Sequence, residues 1–199
     1  VLVDGISSVA SLPISTDGWN CDVVASASQK GWMVPPGLAF LSFNDRAWDA
    51  HSVSKMPRFY FDISVYKSYY EIGQPPYTPA ISQMFALDLA LDQLLEEGMG
   101  SVFERHANIA QFTRDGVKSL GLSLFPKDAA TASDTITAVS VPTGVDATQL
   151  VGKMREDHGV ILAGGQESLS GKIFRIGHLG PTTQEEIQDV LDALRTVLP

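Results

Sequence analysis

The sequence predicts an α/β fold, with a strand-rich opening, two long helices and a small α+β unit at its end. Three observations carry this. Val23–Ala27 (VVASA) is apolar or small throughout, as a strand buried on both faces would be. Over residues 79–97, Ile81, Met84, Leu87, Leu91, Leu94 and Leu95 recur at helical spacing. From Leu120 onward, short strand-like runs alternate with amphipathic helical stretches.

Residues 1–6 read as a strand containing Asp4. Side chains alternate along a strand, so Asp4 and Ile6 are expected on one face. Ser15-Thr16-Asp17-Gly18 and Pro35-Pro36-Gly37 are turn clusters. Residues 46–78 read as irregular and aromatic-rich. Thr78 is the expected N-cap of the first long helix, Pro79 suits its first turn and Gly98 stops it. The second helix is expected over residues 100–119, using Val102, Ile109, Phe112 and Val117, with Gly116 weakening it slightly. Then LSLF and TITAVSV read as strands, DATQLVGKMREDHG as a helix, VILAGG and KIFRIGHL as strands, and TQEEIQDVLDALRTVL as a closing amphipathic helix. These divide into two expected domains, residues 1–97 and 98–199.

Hydrophobic residues make up 44% of the 199, enough for a sizeable core. A net charge of −9 argues against nucleic acid or an anionic membrane as partner, since both need basic patches. Cys21 is the single cysteine, which excludes an internal disulfide and points to a reducing, cytoplasmic setting. No apolar run is long enough to span a membrane.

Lys30 is the only charged residue in SASQKGWMVPPGLAF and sits where a strand runs out into a Gly/Pro-rich loop. Burying an ammonium is costly, so a lone loop lysine usually snorkels to water. A lysine at a strand mouth among small residues can instead serve as an amine nucleophile. Asp4 shifts the balance. A flat cofactor with a cationic ring needs an acid for its ring N–H and an apolar surface beneath it, and Asp4 beside Ile6 offers both. Pyridoxal phosphate is such a cofactor, held covalently by a lysine. The competing reading makes Asp4 a turn cap before Gly5.

Three segments then stand in order: Asp4-Gly5-Ile6-Ser7-Ser8, Ser26-Ala27-Ser28-Gln29-Lys30 and Pro35-Pro36-Gly37. With YTPAIS and FRIGHLG further on, the chain resembles the class V aminotransferases of the fold-type I pyridoxal-phosphate enzymes, nearest the alanine–glyoxylate and serine–glyoxylate group. The resemblance implies part of the cofactor-binding large domain followed by a small C-terminal domain, about the C-terminal half of such an enzyme. No Gly-rich phosphate-cradling turn can be placed before Asp4.

By the same resemblance, Lys30 holds the cofactor, Asp4 pairs with the pyridine nitrogen, Ile6 supports the ring and Gln29 contacts its oxygen or phosphate region. Tyr77 and Thr78 reach the phosphate of a neighbouring subunit, which implies a homodimer. Arg175, between Phe174 and Ile176 in a strand, would grip the carboxylate of a small amino acid or 2-oxo acid with its guanidinium fork. A buried ion pair to an Asp or Glu is the alternative for Arg175. His178 is expected to be structural, and His51, His106 and His158 lack metal-ligand spacing, so no metal is expected. The expected activity is transfer of an amino group from alanine or serine to glyoxylate or another small 2-oxo acid. The alternatives are an inactive dimerisation fragment and, less fitting, a cysteine desulfurase, whose His-Lys pair is here Gln29-Lys30.

Overall fold

The computed structural model describes residues 1–198. Strands β1 (Leu2–Asp4), β2 (Val23–Ala27) and β3 (Ala39–Phe43) form one sheet in that order, β1 parallel and β3 antiparallel to β2. A second sheet, in the order β4-β5-β7-β6, is antiparallel throughout. It contains β4 (Ser123–Leu124), β5 (Ile136–Ser140), β6 (Ala163–Gly164) and β7 (Ile173–Gly177). Among the described residues the α-helices are α1 (Asp45–Val53), α2 (Ile63–Glu71), α3 (Ile81–Glu97), α4 (Met99–Ser119), α5 (Ala147–His158) and α6 (Gln184–Val197).

The main core lies between the second sheet and α4, α5 and α6. Val139, Phe174 and Ile176 pack there with Ile109, Val117, Leu150, Met154, Ile187, Leu191 and Leu194. Each such fully buried aliphatic or aromatic side chain contributes roughly 1.5–3 kcal/mol. Gly116, expected only to weaken its helix, has a packing role. A β-carbon there would run into Leu191, with Cδ2 at 3.0 Å and Cγ at 3.1 Å, so the glycine lets α6 lie close to α4.

Both terminal helices, α5 and α6, are capped. Asp146 accepts from the Thr148 and Gln149 amides, Gly159 closes α5 in the left-handed conformation, and Thr183 and Glu186 form a reciprocal capping box on α6.

Three expectations need correction. The stretch over residues 46–78 is not irregular throughout, because it contains α1 and α2. Asn44 caps α1 by accepting from the Ala47 amide, and Asp62 caps α2 by accepting from the Ser64 amide. Neither helix buries a residue in this chain, so the burial periodicity that reveals longer helices is missing. Thr78 does not cap α3. Ala80 holds that position without a side-chain bond, and the Ile81 amide turns back to the Pro79 carbonyl at 3.0 Å. The opening strand ends at Asp4 rather than at residue 6, with the consequence described below.

Candidate active site

β1 and β2 run parallel, with Asp4 in register with Ala25. Both therefore end at the same edge of their sheet. Asp4 is the last residue of β1, and the Gln29-Lys30 turn begins just beyond Ala27. Ligands of open α/β sheets bind outside the carboxyl ends of parallel strands, and this edge brings the carboxylate and the amine to such a place.

The Lys30 turn is held firmly. Ser28 is fully buried, and its Oγ donates to the Pro35 carbonyl at 2.8 Å and accepts from the Leu38 amide at 3.2 Å. The Val34 amide returns to the Ser28 carbonyl at 3.1 Å, and the Met33 amide to the Lys30 carbonyl at 2.9 Å. Trp32 donates from Nε1 to Ser26 Oγ at 2.9 Å and packs on Phe40. Gly31 is required by close approach, since a β-carbon would lie 2.8 Å from the Val9 carbonyl and against the Ser11 hydroxyl. Lys30 is half-buried, and its Nζ has no hydrogen-bond or ion-pair partner among the described residues. Gln29 is exposed.

Asp4 does not share a strand face with Ile6. After Asp4 the chain coils through residues 5–12, and the Ile6 amide donates to Asp4 Oδ1 at 3.0 Å. The cause lies at Gly5. Its amide bonds the Ala25 carbonyl at 2.8 Å, and a β-carbon would lie 2.7 Å from Val9 Cγ2, so the chain turns where only glycine fits. Asp4 thus makes the turn cap of the competing reading. One carboxylate oxygen is used this way, while Oδ2 accepts nothing from the described residues. Ser11, in the same coil, is fully buried, and its hydroxyl has no partner among the described residues.

Arg175 lies on β7 in register with Ala138 and Ala163. Phe174 and Ile176 point to the helices, so Arg175 belongs to the opposite sheet face. Its Nε donates to the Gly164 carbonyl at 3.0 Å. No carboxylate among the described residues lies within ion-pair distance, so the structural salt bridge weighed as the alternative is not formed. That leaves the two terminal nitrogens of the fork without a protein partner among the described residues.

His178 is buried. Its Nε2 meets Thr137 Oγ1 at 2.9 Å, its Nδ1 has no partner among the described residues, and burial with the nearby Arg114 guanidinium pushes its pKa down to about 4. His106 is also buried, and burial lowers its pKa too. Among the described residues no cluster of three or more His, Cys, Asp or Glu side chains could hold a metal. No helix among them is long and apolar enough to cross a membrane.

Tyr77 and Thr78 stand apart from the Lys30 edge in their contacts. Tyr77 packs among Phe59, Tyr60 and Tyr66, with the Tyr60 ring centroid 4.7 Å away, and its hydroxyl reaches the Phe59 carbonyl at 3.4 Å. Thr78 is exposed. The structure therefore gathers Asp4, Gln29 and Lys30 at one strand edge, places Arg175 on the other sheet and sets Tyr77 and Thr78 in a separate aromatic cluster. Sequence reasoning missed Ser28 and Met33. Met33 adopts a left-handed backbone, φ 61°, for which the turn cluster around Pro35-Pro36-Gly37 was the only available signal.

The family model "Aminotransferase class-V" matches residues 1–190. The "Soluble hydrogenase, small subunit" of Synechococcus sp. is 41% identical over the whole chain and 51% of its own length. The serine–glyoxylate aminotransferase of Arabidopsis thaliana is 34% identical over the whole chain and 50% of its own length. The crystal structure of alanine–glyoxylate aminotransferase from Nostoc sp. superimposes with a TM-score of 0.94 at 28% identity, over all of this chain and 53% of that one. The chain spans about half the length of the curated relatives it matches. By a family match over nearly its whole length, on a fold carrying the lysine, the carboxylate and the arginine, this chain belongs to the class V aminotransferases.

Proposed function

We propose that this chain carries the catalytic lysine and the carboxylate grip of a pyridoxal-phosphate-dependent transaminase. Its amino donor is a small amino acid such as alanine or serine, and its acceptor is glyoxylate or another small 2-oxo acid. The observation that carries this is that, among the described residues, Lys30 Nζ and the two terminal nitrogens of Arg175 have no protein partner, with Asp4 on the Lys30 edge. Amine chemistry and bidentate carboxylate recognition are the two functions a transaminase needs from its side chains. The relatives named for glyoxylate transamination support the choice of acceptor.

The residues present fit the cofactor. Among the described residues the Lys30 amine and Asp4 Oδ2 have no partner, which leaves an oxygen for a ring N–H, and Ile6 and Gln29 flank the same strand mouths. Bound pyridoxal phosphate supplies an electron sink for the carbanion left when a substrate Cα loses its proton. Lys30 Nζ would hold the cofactor and, once free, would be the base that takes the substrate Cα proton and returns it. Asp4 would hold a proton on the ring nitrogen of the bound cofactor. Arg175 fixes the substrate carboxylate and thereby the orientation of Cα.

The assembly belongs to the same proposal. Phe59, Phe61 and Tyr70 are 79%, 83% and 84% exposed, and such a patch suits a homodimer interface. There Tyr77, Thr78 and the uncapped first turn of α3 complete the phosphate site of the partner subunit. Residues 1–97 then belong to the large domain and 98–199 to the small one, in a cytoplasmic enzyme. The test is a visible-absorbance scan of the full-length protein with pyridoxal phosphate. A lysine-bound cofactor band in the wild type, lost in Lys30→Ala together with turnover, is expected. An unshifted spectrum with no transaminase activity would favour a structural, dimerising role.

A further inference from the structure

The two sheets carry the two halves of the proposed site, and one contact joins them close to both. Gly180 lies five residues after Arg175, and Met33 three residues after Lys30. A β-carbon on Gly180 would sit 3.1 Å from Met33 Cγ and 3.7 Å from its sulfur, so the thioether rests directly on the glycine. Both residues have left-handed backbones, φ 70° at Gly180 and 61° at Met33. For a methionine that conformation is uncommon and marks a local constraint.

Gly180 is gripped from behind by consecutive residues of α4. Its amide donates to His106 Nε2 at 3.2 Å, and its carbonyl accepts from Arg105. His106 is buried, and its other nitrogen meets the Val102 carbonyl at 2.7 Å, which fixes the tautomer that leaves Nε2 as an acceptor. Arg105 is held in turn by a fork onto Glu97 at the end of α3, at 2.7 and 2.9 Å. On the other side, the Met33 amide closes the turn onto the Lys30 carbonyl.

We infer that Met33 and Gly180 form a latch, backed by His106 and Arg105, that sets the Lys30 turn against the strand bearing Arg175. They are positioning residues that touch no substrate. The inference rests on the reading that Lys30 and Arg175 serve one site. A displacement on the order of 1 Å between a reacting group and its substrate clamp is enough to impair a reaction strongly, so the latch bears on catalysis without touching the chemistry.

Met33→Gly separates this from a role in folding, because it removes the thioether while relieving the left-handed backbone. In the full-length protein without added cofactor, the Gly180 amide of Met33→Gly should exchange hydrogen about tenfold faster or more. With cofactor, KM for the amino donor and for the oxo acid should each rise about fivefold or more while Tm holds or increases. Met33→Leu, which restores bulk over Gly180, should return both KM values to within about twofold of wild type. Unchanged Gly180 exchange, or unchanged KM values, would overturn the latch and leave Met33 as a strained turn residue. If the wild type captures no cofactor on Lys30, the reading of the lysine fails instead, and the Gly180 exchange rate alone then decides the latch.

Discussion

Arg175→Lys separates recognition of a substrate from support of the fold. The substitution keeps the positive charge but removes the planar fork. In the structure only Nε is engaged, by the Gly164 carbonyl at 3.0 Å, and the remaining nitrogens have no protein partner among the described residues. If those nitrogens hold a carboxylate by two charge-assisted bonds, replacing them with a point charge should cost on the order of 2–3 kcal/mol of binding. That corresponds to a rise in KM of roughly 30- to 150-fold. The rise should be similar for the amino donor and the oxo acid, since both present the same carboxylate. The lost Nε bond is a neutral-acceptor contact worth about 1 kcal/mol, so Tm should fall by only about 2–4 °C. The assay is steady-state kinetics in both substrates beside a thermal melt. An unchanged KM with a lowered Tm would refute substrate recognition and return Arg175 to a structural role.

Three further outcomes follow from named contacts. Asp4→Asn keeps the turn bond to the Ile6 amide but loses the charge, so turnover should fall on the order of 10²–10³-fold with cofactor still bound; a near wild-type rate would remove Asp4 from the site. His178 titrates at about 4 when folded against an ordinary value of 6.5, so its contribution is complete above 6.5 and is lost as pH falls towards 4. That loss is on the order of 3 kcal/mol, and urea melts across this range should show a shallower acid slope in His178→Gln; parallel slopes would contradict it. Gly116→Ala pushes a β-carbon into Leu191, and overpacking of about 1–3 kcal/mol should exceed the gain of about 1 kcal/mol in helix propensity. The same change in a Leu191→Ala background should stabilise, and a higher Tm from Gly116→Ala in the wild type would show that the helices part without cost.

What could be read from the sequence was local. The second strand is a run of small apolar residues, and α5 and α6 lie in the segments expected to be helical, with the Asp146, Thr183 and Glu186 side chains and the Gly159 amide bonding their own neighbours at the ends. The order of Asp4, Lys30 and Arg175 along the chain was equally visible. The misreadings arose where distant packing decides. The opening strand stops at Asp4 because Gly5 docks on Ala25, twenty residues away in sequence, and the alternation that joined Asp4 to Ile6 cannot register that. The two short helices over residues 45–71 bury nothing in this chain, so their composition shows aromatics without a stripe. The grip on Gly180 by Arg105 and His106 spans more than seventy residues and has no local signature at all.

The central claim is that Lys30 is the residue that holds the cofactor, and covalent trapping tests it most directly. Full-length protein is incubated with pyridoxal phosphate, reduced with borohydride, digested and mapped by mass spectrometry. The reduced cofactor should appear on the peptide containing Lys30 and be absent from Lys30→Ala. Stoichiometric label on Lys55, Lys172 or any other lysine, or no label at all, would contradict it.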